Sequence, residues 1–307
     1  MQIYLPIAEI SVNAFYLLLM GGGVGYLSGL LGVGGGFLMT PLLMFIGIPP
    51  AVAVGTQANQ LIGASVAGVM AHWRRRNVDV RMALVMLCGS SIGTVLGVGL
   101  FALMKRLGHI DLLISLSYFL LLGTLGSLMM WEALRSLLRS RKGRPSRNRL
   151  HHAAWVRALP LKMRFPKSLL YISALLPAGI GFVIGLLVAV MGVGGGFLLV
   201  PAMIYLLGMP ASVVAGTSLL QVIFTTAIAA WLQAAINQTV DGLLALLLMA
   251  GGVIGAQLGT RAAGALRGEH ARMLLAILIL GVALKLGLDL VLPPHDPYSI
   301  ETLERGS

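Results

Sequence analysis

Apolar residues gather along this chain into ten runs separated by short polar breaks. They fall at roughly 12–31, 37–48, 51–71, 80–104 and 111–134, then at about 169–190, 197–208, 211–232, 241–260 and 272–292. Most hold twenty or so residues, which at about 1.5 Å of helical rise each cover the roughly 30 Å of a bilayer's hydrocarbon. The runs that begin at Phe37 and Phe197 are too short for a comfortable crossing. They read as short, tilted or re-entrant helices held inside a bundle. The pattern predicts an all-α, polytopic helical membrane protein with about eight full transmembrane helices plus two short or re-entrant ones.

The two sets of runs are copies of each other. Gly32 to Leu38 reads GVGGGFL, and the same letters return from Gly192 to Leu198; each Phe has a proline four residues on, Pro41 and Pro201. GIPPAVAVGTQANQ (Gly47 to Gln60) aligns with GMPASVVAGTSLLQ (Gly208 to Gln221). Gly89, Gly93 and Gly97 line up with Gly251, Gly255 and Gly259, and the offset drifts only from 160 to 162 residues. This is an internal duplication. It divides the chain into a first membrane repeat (1–134), a basic linker (135–167), a second membrane repeat (168–292) and a polar C-terminal tail (293–307).

Charge gives the copies a direction. The stretch from Arg135 to Lys167 holds eleven Lys or Arg and no acid; His72-Trp73-Arg74-Arg75-Arg76 with Arg81, and Arg261, Arg267 and Arg272, mark two further cytoplasmic loops. The connection from Gln233 to Val240 has no cation, and the tail carries Asp296, Glu301 and Glu304 against Arg305, so both are expected outside. Five segments per copy, an odd number, then make the repeats inverted, with both termini outside and the basic linker cytoplasmic. Lys105-Arg106 runs against this trace, which puts it outside. The N-terminus lacks the Lys or Arg of a cleaved signal peptide, so the first apolar run is expected to stay in the mature protein.

Composition agrees. Hydrophobic residues make up 58% of the chain and charged ones 10%, with mean hydropathy +0.92, whereas soluble domains carry about 25% charged residues. The net charge of +12 sits in loops between apolar runs, which argues for a lipid bilayer and against a nucleic acid as partner. The lone Cys88 excludes an intrachain disulfide and reads as a small core residue.

Candidate chemistry begins at the glycines. Three in a row break a helix and allow close backbone approach. Inside a bilayer such a break persists only where protein buries it or it lines a cavity. Inverted repeats with broken helices point to a secondary transporter's binding site, and the freed amides of the following helix favour an anion. The anion-facing backbone is therefore Gly34, Gly35 and Gly36 with Gly194, Gly195 and Gly196. The four-spaced Gly89 and Gly251 series read instead as close helix packing. Polar clusters follow: Thr56, Gln57, Asn59 and Gln60 in the first copy, Thr217, Ser218 and Gln221 in the second, with Thr94 and Gln257 as lesser additions. Polar side chains in lipid need partners, so these face the bundle interior, where they either bond helix to helix or line a site for a small oxyanion.

No acid lies mid-span: Glu9 and Glu132 sit near span ends, and Asp79, Asp111 and Asp241 at span starts. This disfavours a cation substrate and leaves the coupling ion unread. Lys285 and Asp289, four apart, read as a structural pair at the outer interface. His72 reads as an interfacial anchor, and His151-His152 lacks the partners of a metal site. No cofactor, metal or catalytic residue is expected. An intramembrane enzyme would need a nucleophile and base inside the bundle, and no His or acid sits mid-span beside Ser65 or Ser218.

The duplicated GVGGGFL with its proline, the GT-to-Gln stretch after it and the glycine-spaced span in each copy resemble the sulfite exporter family TauE/SafE, over about residues 12–290. The resemblance implies a permease of the bacterial inner membrane moving small sulfur-containing anions such as sulfite or organosulfonates. An alternating-access carrier is the expectation; an anion channel on the same scaffold, a transporter of another small inorganic or organic anion, and assembly into a homo-oligomer stay open.

Overall fold

The computed structural model describes residues 2–31, 36–74, 76–140, 160–168, 170–262 and 268–291. Gly34 and Gly35, His151-His152, most of the basic linker and the C-terminal tail lie outside the described residues. The fold is mostly helical, and its element order runs twice. The first set is a hairpin of β1 (Gln2–Leu5) and β2 (Ile10–Asn13), then α1 (Ala14–Leu31), α2 (Gly36–Phe45), α3 (Pro50–Arg74), α4 (Val80–Arg106) and α5 (Ile110–Ser140). The second is β3 (Lys162–Phe165) and β4 (Leu170–Ser173), then α6 (Leu175–Met191), α7 (Gly196–Pro201), α8 (Ala211–Leu232), α9 (Gly242–Ala262) and α10 (Gly268–Val291). α7 continues as a π-helical turn, Ala202–Leu206, and α8 as another, Gln233–Asn237.

The two antiparallel hairpins are additions to the all-helical expectation. Ile3, Tyr4, Ile10 and Val12 in the first, and Phe165, Tyr171 and Ile172 in the second, are β-branched or aromatic and suit a pleated surface. Pro6 and Pro166, which cannot donate to a ladder, stop β1 and β3. Leu5 and Phe165 occupy matched strand ends and are both buried. The second hairpin starts inside the stretch read as linker, and α5 runs into that stretch from the other side.

Among the described residues, five helical stretches are long and apolar enough to cross a membrane: Val80–Arg106, Ile110–Trp131, Val213–Asn237, Gly242–Ala262 and Met273–Val291. Ala14–Leu30, Gly36–Phe45, Leu175–Met191 and Gly196–Leu206 are apolar but shorter. α3 has the length, 25 residues, yet its polar turn from Thr56 to Gln60 keeps it out of the apolar set. Outward side chains such as Ile92, Leu96, Trp131, Leu246 and Leu284 are exposed, the distribution a lipid solvent permits.

Packing crosses between the copies. α1 lies along α9, and α4 lies along α6, backbone against backbone. A methyl group on Gly25 or Gly29 would overlap the carbonyl oxygens of Gly252 or Ala256, and one on Gly255 or Gly259 those of Gly22 or Tyr26. The other pair matches: Gly89 and Gly93 press on Ala178 and Phe182, and Gly181 and Gly185 on Met86 and Ser90. Small residues at four-residue spacing allow this approach without a hydrophobic driving force between helices. The glycine series that the sequence assigned to packing does pack. Like pairs with like at the centre, α3 against α8 and α5 against α10.

Candidate functional site

The two short helices meet at their first turns. Phe37 and Phe197, the matched aromatics of the two GGGF stretches, stack with ring centroids 4.4 Å apart and planes 21° from parallel. A methyl on Gly36 would stand 2.6 Å from the Val193 carbonyl oxygen and 2.8 Å from both Gln57 Nε2 and Leu61 Cδ1. Leu61 also closes against Gly194. One turn of α3 therefore lies across both breaks.

The second break is described throughout, and it is buried in protein. α6 ends at Gly192 (φ 69°, ψ 11°), whose amide donates to Val188 O at 2.8 Å. Gly194 (φ 73°) and Gly195 (φ 67°) are left-handed as well, a conformation that side-chain-bearing residues rarely adopt. Side chains satisfy the carbonyls freed here: Gln233 Nε2 donates to Ala189 O at 2.9 Å and Tyr118 OH to Met191 O at 2.6 Å. The donors are treated differently. Gly196 N–H reaches Gly194 O and Leu199 N–H reaches Gly195 O, both at 2.7 Å, but the amides of Val193, Gly194 and Gly195 meet no acceptor among the described residues. Successive N–H groups left without acceptors in a turn form the concavity that binds anions elsewhere. Leaving such donors buried and unpaired costs about 1–3 kcal/mol each, so the arrangement favours an incoming acceptor.

At the first break, Gln57 Nε2 donates to Gly36 O while Thr40 Oγ1 donates to Gln57 Oε1. Gln60, in the same turn of α3, is buried against Gly252 of α9, and its Oε1 has no partner among the described residues. Its counterpart Gln221 is in the same condition: Nε2 donates to Thr225 Oγ1 at 3.2 Å, Thr225 pairs with Ser90 Oγ at 2.8 Å, and Oε1 has no partner among the described residues. Asn59 is half-buried. Thr56 and Thr217 are engaged nearer the helix starts, where their Oγ1 atoms accept the amides of Asp241 (3.0 Å) and Asp79 (2.9 Å). Ser218 Oγ donates to Ala215 O within its own helix. Of the lesser candidates, Thr94 bonds Gly185 O across the α4–α6 seam and Gln257 is exposed. The fold thus joins Gly36, Gln57, Gly194, Gly195 and Gly196 in one place and carries the two threonines to its ends.

A model of the family described as sulfite exporter TauE/SafE matches residues 17–286. The chain belongs to the sulfite exporter TauE/SafE family. Its similarity extends to a probable membrane transporter protein, YjnA, of Bacillus subtilis, 31% identical over 271 residues that cover 88% of this chain and 98% of the relative. A probable membrane transporter protein of Xylella fastidiosa is 34% identical over 244 residues, covering 78% and 81%. No solved structure matches. As a TauE/SafE protein the chain is a multi-pass membrane transporter, which agrees with its apolar helices.

Sequence reading missed several residues that hold this TauE/SafE site. Tyr118 and Gln233 brace the break's carbonyls, but the duplication offers no signal for them, since position 72, which matches Gln233, is histidine. Asp79 and Asp241, read only as span starts, are buried acids. Their signal was present: Val78-Asp79 and Val240-Asp241 recur at the offset of the glycine series.

Proposed function

We propose that this TauE/SafE protein carries a small sulfur-containing oxyanion, of the sulfite or organosulfonate class, across the bacterial inner membrane, and that the anion sits where the two broken helices meet. The observation that carries the reading is the run of buried amides at Val193, Gly194 and Gly195 with no acceptor among the described residues. An oxyanion's oxygens supply the missing acceptors, and neutral donors hold it without a fixed charge that would slow its release. Gly34, Gly35 and Gly36 present the first copy's share of backbone, with Gln57, Asn59, Gln60 and Gln221 as lining side chains. A carboxamide's oxygen and nitrogen are assigned from their surroundings, and turning Gln60 or Gln221 over puts an NH₂ donor where an orphan oxygen now stands. Thr56, Thr217 and Ser218 hold backbone in the same stretch of each helix and enter as supports.

The reading includes two inverted repeats, about eight crossings and alternating access. Contacts support its sidedness. Groups traced outside touch one another: Lys105 Nζ donates to Asn237 O at 2.6 Å, and the N-terminal hairpin's Ile7 N–H reaches Asp241 at 3.1 Å. Groups traced inside do likewise, Ser168 with Asp79. Lys105, the cation that ran against the trace, caps a helix C-terminus, where its charge complements the dipole.

Flux into proteoliposomes of sulfite, sulfate, thiosulfate, organosulfonates and chloride tests the proposal. Saturable sulfite or sulfonate flux with exchange between the faces is expected. It should vanish in Gly195→Val, which forces a β-branched side chain into φ 67° and against Ile184 Cγ2, 2.7 Å from the new Cβ, while folded protein remains in the membrane. Flux unchanged in that variant, or none for any sulfur anion, overturns the reading. Flux that never saturates and shows no exchange assigns the scaffold to a channel.

A further inference from the structure

Asp79 and Asp241 occupy matched positions, 2% and 0% exposed, in a chain with no acid in the middle of a span. Each divides its carboxylate in the same way. Asp79 Oδ1 accepts the Met82 amide at 3.2 Å and so caps the start of α4; Oδ2 accepts Ser168 N–H at 3.0 Å and Ser168 Oγ–H at 2.6 Å from the tip of the second hairpin. Asp241 Oδ1 accepts the Leu243 and Leu244 amides, both at 3.1 Å, at the start of α9, and Oδ2 accepts Ile7 N–H from the tip of the first hairpin. The aspartates' own amides donate to Thr217 of α8 and Thr56 of α3. Oδ1 and the backbone carbonyl, which accepts from Ala83 in one case and Ala245 in the other, therefore serve the aspartate's own helix, while Oδ2 and the aspartate's own amide reach the opposite copy.

These polar ties run in the same sense as the glycine seams. Hairpin 1, α1, the start of α3 and α9 are fastened into one body, and hairpin 2, α6, the start of α8 and α4 into another. We propose that Asp79 and Asp241 are paired positioning residues for transport, each fastening helix 4 of its own copy to the hairpin tip and helix-3 threonine of the other, so that the bodies that move are these cross-paired ones and not the two halves of the sequence. The proposal rests on the transport reading above and deepens it. A methyl group on Gly25, Gly29, Gly255 or Gly259 between α1 and α9, or on Gly89, Gly93, Gly181 or Gly185 between α4 and α6, would strike backbone, so those seams leave little slack for sliding. Motion is left to the α3–α8 and α5–α10 contacts and to the Phe37–Phe197 stack between the bodies. With inverted repeats one clamp lies at each face of the membrane, and each face's opening works against its own clamp.

Asparagine separates the two duties of each carboxylate, because Asn keeps Oδ1 for the helix cap and replaces Oδ2 by a donor that cannot accept from the hairpin tip. Asp79→Asn and Asp241→Asn are made in the full chain and studied in proteoliposomes with sulfite as the probe, beside amide hydrogen exchange in detergent. The maximal rate should fall about tenfold or more with KM within about twofold, since positioning is lost and substrate contacts are not. Exchange should quicken severalfold and crosswise: Asp79→Asn loosens 162–173, and Asp241→Asn loosens 2–13. An unchanged rate in both variants, or loosening that stays within the mutated copy, overturns the proposal. If the wild-type chain moves no sulfite, the substrate reading fails while the exchange pattern still decides this one. Should an Asn variant not fold, Ser168→Ala and Thr56→Val remove one bond from each clamp and must give the same crossed exchange, with Thr56→Ser restoring it; absence of that pattern is equally fatal.

Discussion

The two copies share the same break and hold the helix after it by different means. In the first, α2 is an uninterrupted α-helix through Pro41, bolted to α3 by the Thr40–Gln57–Gly36 bonds and covered at its end by Lys285 of α10, whose Nζ stands 3.8 Å from the Phe45 ring centre. In the second, Val200 and Ser218 stand where Thr40 and Gln57 would be, and Ser218 bonds only its own helix. There α7 gives way after Pro201 to a π-helical turn, and an apolar groove of about 420 Å³ opens beside it, lined by Leu176, Ile180, Val183 and Leu187 of α6 with Leu198 and Leu206. One copy is anchored and the other is not. Among the described residues the polar ties thus hold the first copy's short helix to its neighbour and not the second's.

The largest effect should come where the copies are alike. Gly93→Leu and Gly255→Leu each put a side chain into backbone at a seam, Phe182 in one case and Gly22 in the other. Overpacking a tight interface costs about 1–3 kcal/mol even for small additions, and here neither backbone can retreat. Both variants should fail to give monodisperse protein on size exclusion. A single failure would show that one seam bears less than the other.

Next comes the matched pair that separates the copies. Gln57→Leu takes the side-chain donor from the Gly36 carbonyl and the Gln57 acceptor from the Thr40 hydroxyl, which keeps its bond to Tyr118, and should cost about 1–2 kcal/mol, whereas Ser218→Ala removes a local bond and should stay within about 0.5 kcal/mol. Thermal unfolding in detergent reads both. Equal losses would mean that α2 is no more firmly held than α7, and the comparison would collapse.

The duplication explains why so much of this was legible. The breaks, the short helices and the glycine seams are each present twice in the same letters, so the sequence exposes them without any structure. What stayed hidden is unpaired by nature. Tyr118 and Gln233 support the break from helices far along the chain, and neither repeats. The hairpins were hidden because β1 and β3 lie outside the apolar runs, while Val12 and Ile172 are as hydrophobic as the helices that follow and merge into those runs. The crossing of partners was illegible for a different reason: a repeat shows that two copies exist, not which helix of one lies on which helix of the other. Tyr118→Phe measures one of these hidden supports. Removing the hydroxyl that donates to the Met191 carbonyl and also bonds Thr40 of α2 should cost about 1–2 kcal/mol, seen as a lowered melting temperature, and the loss should add less than fully to the Gln57 variant's because both act on Thr40.

Lys285 gives the smallest effect and the finest test of the anchor. Its ammonium lies over Phe45 at the end of α2, four residues before Asp289, and the lysine is exposed. An ion pair at such a site is screened by salt, while attraction to a ring face against which water is excluded is screened less. Lys285→Met keeps the length of the side chain and removes the charge, so it should lower stability by about 0.5–1 kcal/mol. If the cation–ring contact holds the end of α2, that loss should persist in high salt and disappear when Phe45→Leu is already in place, because the second substitution has then removed the same interaction. If the loss fades with salt and survives in the Phe45→Leu background, Lys285 serves Asp289 alone, and the first copy's helix is anchored at its glycine end only.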